Sequence, residues 1–188
     1  KLFEYAESMS IKKFIFFSSI HCQNKSSIDD GYAKTKKIAE EKLRRLAGNS
    51  SVEVFILRLP PVINKNTRGN LKLIYNYLKV GFPLILPDIA KNNKRSVIYM
   101  NNIATLLQRI LDNNYEGNTY MVSRKNDMST YELMLKIKKD IGSGSFIITL
   151  PTIFFKPLEL FFNSVYRSLF DDQIFEIDQI GEFLKIDD

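Results

Sequence analysis

The sequence predicts an α/β chain: part of a parallel sheet with crossover helices, followed by a smaller α+β lobe. Three observations carry this. The apolar run Phe14-Ile15-Phe16-Phe17 has the texture of a strand buried on both faces. A helical stretch, 32–47, separates it from a second such run, Val52 to Leu57. Strand, helix, strand in that order is a right-handed crossover of a parallel sheet. After Pro60-Pro61, which cannot continue a ladder, the texture turns to short helices and short strands.

In order along the chain, Leu2, Phe3 and Ala6 lie at helical spacing and predict a helix over 1–9. The first strand stops at Ser18-Ser19, and a polar loop runs on to Gly31. Residues 32–47 are helix formers with Ile38, Ala39, Leu43 and Leu46 on one stripe and Gly48-Asn49 as the stop. Residues 63–70 read as a polar loop, 71–80 as a helix, and 81–94, with Gly81, Pro83 and Pro87, as a loop. A short strand is expected at 95–100, a helix with an asparagine cap at 101–112, and a strand from Thr119 to Val122. Ser129-Thr130 with Glu132 in the first turn caps a helix over 131–140. Phe146-Ile147-Ile148 is a strand candidate, and 152–170 is an aromatic helix or pair of helices broken at Pro157.

Composition narrows the chemistry. The 188 residues are 45% hydrophobic and 26% charged, enough for one core plus a small lobe. A single cysteine, Cys22, and a single histidine, His21, make zinc fingers, iron–sulfur sites and Ser-His-Asp catalysis poor expectations. The net charge of +6 fits an anionic small molecule. Its lysines are spread along the chain without an arginine-rich arm, so no nucleic-acid partner is expected. No apolar run reaches the roughly 20 residues of a spanning helix, and a cytoplasmic location is expected. The aromatics of the tail, TIFFKPLELFFNSVYRSLF, are expected to pack within the lobe or between subunits; peripheral membrane attachment, for which the tail has an interfacial composition, is the alternative.

The clearest chemical pattern is Tyr32-Ala33-Lys34-Thr35-Lys36. Tyr32 and Lys36 are four apart and project from one helix face. An ammonium beside a phenol favours the phenolate, which suits acid/base work between a carbonyl and an alcohol. Ser19, at the end of the preceding strand, is placed to hydrogen-bond the same substrate oxygen, with Ser18 the second candidate. A tyrosine and a lysine four apart also arise by chance in helices. His21 and Cys22 read as loop residues.

The ordered segments KKFIFFSSI, YAKTKKIAEEKL, VFILRLPPVI, RGNL and RSVIYMNNIA resemble the extended short-chain dehydrogenase/reductases, in particular the NAD-dependent epimerases and dehydratases of nucleotide sugars. NTYMVSRKNDMSTYELMLKI is similar to that family's substrate-lobe pattern. The resemblance covers about residues 1–142 and implies a Rossmann-like sheet, of which this chain carries the C-terminal half. It implies that Tyr32 is the acid/base, that Lys36 holds the nicotinamide ribose, and that Ser19 bonds the reacting sugar oxygen. It places Leu59 and Pro60 near the nicotinamide of NAD or NADP, and Asn70 and Arg95 on the diphosphate of a nucleotide-diphosphate sugar. Read from the residues alone, Asn70 is a helix cap and Arg95 a solvated strand-edge residue.

The same resemblance divides the chain into 1–62, the C-terminal part of a dinucleotide-binding domain, and 63–188, mainly a substrate-binding lobe, with 95–112 returning to the core. It implies an epimerase or 4-keto-sugar reductase of the kind used in surface-polysaccharide sugar synthesis. Two features depart from the pattern. No GxxGxxG loop is present, and only twelve residues separate Ser19 from Tyr32. With Lys1 first, the expectation is the latter part of a larger enzyme, inactive alone, whose other half lies upstream or is separately encoded. A non-catalytic remnant or sugar-nucleotide-binding module is the alternative. An unpaired sheet edge and an apolar face make a homodimer an expected partner state.

Overall fold

The computed structural model describes residues 1–23, 31–64, 70–112, 115–124, 127–172 and 182–186. Helix α1 (Leu2–Ser8) leads into strand β1 (Lys13–Ser19), a 3₁₀ turn (Ile20–Gln23) and α2 (Gly31–Ala47). Then come β2 (Glu53–Leu59), β3 (Val62–Ile63), α3 (Asn70–Val80) and β4 (Leu84–Pro87). They are followed by β5 (Ile98–Tyr99), α4 (Met100–Leu111), β6 (Thr119–Arg124) and α5 (Thr130–Asp140). The chain continues through β7 (Ile147–Leu150), α6 (Lys156–Phe161), α7 (Asn163–Phe170) and β8 (Glu182–Ile186).

Two compact units form. The first joins Lys1–Val62 to Ile98–Lys125 and Phe175–Asp188; the second joins Ile63–Val97 to Asn126–Ile174.

The first unit is a three-layer α/β structure on the parallel sheet β1-β2-β6-β8. One face of the sheet packs Phe55, Leu57 and Leu59 against Ile103, Leu106 and Ile110 of α4. The other packs Val54 and Ile56 against Phe3 of α1 and Leu43 of α2. Alternate residues of β2 thus serve opposite faces, which is why VEVFILRL is nearly continuously apolar. Each fully buried Phe, Leu or Ile contributes about 1.5–3 kcal/mol. β1 departs from the expectation of burial on both faces: Phe14 to Phe16 are half-buried and Phe17 is exposed. It is an edge of the described sheet, so only β2 flanks it.

The second unit pairs β4 with β7 in parallel, Leu84 opposite Ile147 through Pro87 opposite Leu150. Strand β4 lies in the stretch expected to be loop. Pro87 closes it, where a missing N–H costs least. Inside the unit, Leu78, Leu86, Leu133, Met134, Tyr166 and Phe170 are buried. The α5 cap is as the sequence predicts: Ser129 Oγ accepts from Glu132 N–H and Glu132 returns a bond to Ser129 N–H. Two boundaries shift. The cap of α4 is Tyr99, whose N–H donates to Asn102 Oδ1, rather than an asparagine. Pro157 sits in the first turn of α6, where its fixed φ suits a helix start, and the break comes at Phe162. Among the described residues no helix is long and apolar enough to cross a membrane.

Gly117, just before β6, lies against β2. A Cβ there would come within 2.6 Å of Glu53 Cγ and 3.1 Å of the Val54 backbone N and O. Gly117→Ala is therefore expected to lower unfolding stability by about 1–3 kcal/mol. Gly144→Ala, with nothing within 4 Å of its Cβ, serves as the control in urea titration.

Candidate functional site

The carboxyl ends of β1 and β2 bring several of the sequence-selected residues together. Ser19 and Leu59 are register partners across the parallel ladder. Both are buried, as is Pro60, the next residue of the chain. Helix α2 then runs back along the sheet and carries Tyr32 and Lys36 on its first turns. Lys36 Nζ donates to the Phe17 carbonyl at 2.8 Å and lies 4.9 Å from the Phe16 ring centroid. It lies 5.8 Å from the Tyr32 centroid, so the four-residue spacing does place ammonium and phenol side by side. The Tyr32 side chain is exposed.

The two serines have different tasks. Ser18 Oγ donates to Glu40 Oε1 at 2.5 Å and sits 3.5 Å from Cys22 Sγ. Ser19 Oγ accepts from His21 N–H at 3.3 Å and has its own proton to donate. Cys22 is buried, its thiol turned to the Ala33 carbonyl at 3.6 Å.

Sequence reading missed what holds α2. Glu40 is wholly buried. Arg58 of β2 grips it with Nε to Oε1 at 3.0 Å and Nη2 to Oε2 at 2.7 Å. Arg44, one turn on, adds a bond at 2.9 Å and also donates to Thr119 Oγ1 of β6 at 3.0 Å. Burial alone would raise the Glu40 pKa. The bonds from Arg58 and Ser18 and the charges of Arg58 and Arg44 outweigh it and hold the carboxyl below the ordinary glutamate range. The helix is rotated accordingly: Ala33, Glu40 and Leu43 point inward, while Ile38, expected on the buried stripe, is exposed. The signal was a charge inside an apolar strand, Arg58 in VFILRL, and a glutamate on the inward phase of a helix.

The other candidates lie in the second unit. Arg95 is buried, not solvated. Its backbone bridges to Met128 and its Nη1 donates to the Leu169 carbonyl at 3.3 Å, near the end of α7. That end is further capped by Thr130 Oγ1 on Leu169 O and Asn93 Nδ2 on Phe170 O. Burial lowers the Arg95 pKa and the Asp171 charge opposes this; the guanidinium stays charged. Asn70 is the first residue of α3, and its side chain lies outside the described residues, as do Arg68 and Gly69.

Parallel strands layered between helices, with a serine at a strand's carboxyl end and Tyr-Lys on the crossover helix, define a Rossmann-like α/β chain. Its sequence is similar to that of a nucleotide-sugar epimerase, and its fold to those of nucleotide-sugar epimerases and a reductase. Among curated proteins it is 27% identical over 164 residues to the UDP-glucose 4-epimerase of Vibrio cholerae, covering 80% of this chain and 50% of that one. The chain thus spans about half the length of the curated relative it matches.

No family model matches. The fold is similar to that of UDP-N-acetylglucosamine 4-epimerase from Bacillus cereus, with a TM-score of 0.62 and 14% identity over 84% of this chain and 61% of that one. It is similar too to dTDP-4-dehydrorhamnose reductase from Bacillus anthracis in complex with NADP, with a TM-score of 0.56, 16% identity, and 80% and 54% coverage.

Glu40→Gln is expected to lower stability by about 3 kcal/mol near neutral pH, because it leaves Arg58 buried with half its partner. A lowered carboxyl pKa stabilises the fold above the ordinary glutamate range, and the gain is lost as pH falls through the folded value. Urea midpoints of wild type and variant should therefore stay apart at neutral pH and converge only as pH falls below the ordinary glutamate range.

Proposed function

We propose that this chain is part of an NAD(P)-dependent nucleotide-sugar 4-epimerase or 4-keto-sugar reductase. Ser19, Tyr32 and Lys36 are its catalytic residues. The observation that carries the reading is the Tyr32–Lys36 pair, 5.8 Å from ring centroid to ammonium, with Lys36 tied to the Phe17 carbonyl two residues before Ser19. The first unit is the C-terminal part of a dinucleotide-binding domain and the second a substrate lobe. The name of the curated relative favours epimerisation, while the reductase among the solved structures shares the fold alone. Synthesis of a surface-polysaccharide sugar in the cytoplasm is the setting we favour.

The residues present fit a nicotinamide cofactor. An exposed phenol, an ammonium anchored on a backbone carbonyl, and the buried Leu59-Pro60 wall combine the polar and apolar contacts that such a ring and its ribose require. When bound, the cofactor supplies hydride transfer at the sugar carbon. The chain's own contribution is proton handling. Tyr32 Oη takes a proton from the sugar hydroxyl or returns it to the ketone oxygen. Ser19 Oγ donates a hydrogen bond to that same oxygen, and Lys36 offsets negative charge developing on the tyrosine. In the second unit, Asn70 and Arg95 bind the diphosphate of the nucleotide sugar. An arginine held by a helix-end carbonyl is pre-oriented for that planar, bidentate contact. The pyrophosphate cradle of the dinucleotide comes from a glycine-rich segment other than these 188 residues, upstream or separately encoded.

The test is conversion of a UDP-sugar with NAD(H) or NADP(H) by this chain co-expressed with such a segment. Tyr32→Phe is expected to lower kcat by about 10²–10⁴-fold, the usual share of a general acid/base. The KM should change little. A Tyr32→Phe protein that turns over at the wild-type rate overturns the assignment, and so does co-expression that yields a folded complex without turnover.

A further inference from the structure

Three consecutive residues at the end of β1 have three different tasks. The Phe17 carbonyl accepts from the Lys36 ammonium at 2.8 Å. The Ser18 hydroxyl donates to Glu40 Oε1 at 2.5 Å. Ser19, buried at the strand's end, is the residue assigned to the substrate oxygen. The phenol assigned to that same oxygen stands on another element, α2. How far apart the two hydroxyls lie is therefore set by how α2 sits on β1.

Apolar packing holds the start of α2 weakly. Between Gly31 and Ala39 the one buried residue is Ala33, and Tyr32, Lys34 and Ile38 are exposed. Polar contacts hold the next turn far more firmly. Glu40 stands four residues beyond Lys36, on the same side of the helix, and is wholly buried. Ser18 and Arg58 are register partners on adjoining strands, and both close on this one carboxylate. Arg58 grips both oxygens, Nε on Oε1 at 3.0 Å and Nη2 on Oε2 at 2.7 Å. A bidentate contact of this kind has a direction, which the methyl of Ala33 lacks.

We propose, resting on the catalytic reading of Ser19, Tyr32 and Lys36, that Glu40 is their positioning residue. Clamped to Ser18 and Arg58, it seats Lys36 on the Phe17 carbonyl and brings Tyr32 to the oxygen that Ser19 bonds. Glu40 acts only through these residues.

The experiment compares the wild type with the double variant Glu40→Leu, Arg58→Leu. Replacing a buried ion pair by apolar groups of similar volume is often neutral or stabilising, so the fold is kept while the clamp is lost. Lysines of the full chain are acylated with acetic anhydride and followed by mass spectrometry, with both proteins folded by circular dichroism. Lys36 is half-buried and tethered, and the exposed Lys34 and Lys37 of the same helix serve as internal standards. Lys36 is expected to react more slowly than these two in the wild type and to lose that protection in the double variant. In the complex co-expressed with the glycine-rich segment, kcat should fall by about 10²-fold, the effect of a misplacement of about 1 Å, with KM little changed. Leu106→Ala, on the opposite face of the sheet, destabilises the same unit and should alter neither readout. Should the double variant not fold, Glu40→Gln is expected to show the same loss of Lys36 protection. A folded variant that keeps Lys36 protected, or that turns over at the wild-type rate, overturns the proposal. A wild-type complex without turnover overturns the catalytic reading instead, and the acylation of Lys36 still decides whether Glu40 seats it.

Discussion

One buried carboxylate organises the first unit. Glu40 accepts from Ser18 of β1 and Arg58 of β2, and Arg44 carries the network on to Thr119 of β6. Removing this carboxylate from water is costly, and two guanidinium groups and a hydroxyl offset the cost by satisfying both oxygens. Leucine in its place would pack without that cost and would pin nothing. Ionic groups are exacting about direction: a bidentate contact at 2.7–3.0 Å tolerates little rotation of α2 about its axis. Apolar contacts from Leu43 and Phe3 add adhesion that is far less particular about phase.

That phase decides the presentation of the candidate catalytic pair. Tyr32, Lys36, Glu40 and Arg44 form a row spaced by four residues along α2. Each step of four residues turns about 40° around the axis of a helix with 3.6 residues per turn. With Glu40 fixed inward, Lys36 is half-buried and reaches the Phe17 carbonyl, and Tyr32 emerges into solvent. Anchor, tether and phenol thus lie at increasing exposure along one ridge. A shift of a single residue in that row would separate the phenol from the ammonium. The buried ion network and the exposed pair are two ends of one geometric constraint.

What the sequence disclosed follows the range of the interaction. The Ser129–Glu132 capping box spans three residues and was read directly, as were the parallel character of β1 and β2 and the Tyr-Lys spacing. The partnership of Glu40 with Arg58 joins residues eighteen apart on different elements, and no local pattern announces it. Strand β4 escaped because Pro83 and Pro87 bracket it and its partner β7 lies more than sixty residues away. Strand β8 pairs with β6 across an equally long separation. Pro157 was read as a breaker when its place in a first turn makes it a starter. For the candidate site, the end of β1 and the start of α2 were legible. The burial of Arg95 against a helix-end carbonyl was not, since the cap belongs to a helix about seventy residues downstream.

The chain's net charge is a further case where the scale of description matters. Averaged over 188 residues, +6 is modest and invites several readings. Assigned to units it is concentrated: the sheet-bearing unit, with the Glu40 network inside it, is almost balanced, and the second unit holds nearly the whole excess. An uncompensated excess suits a unit whose cations meet something anionic outside the chain. A diphosphate at Arg95 would engage one arginine, which already has a carbonyl and Asp171 close by. The others are spread over several elements, Lys72 and Lys79 on α3, Lys136, Lys138 and Lys139 on α5 and Lys156 on α6, with Asp88, Glu159, Asp171 and Asp172 interspersed among them.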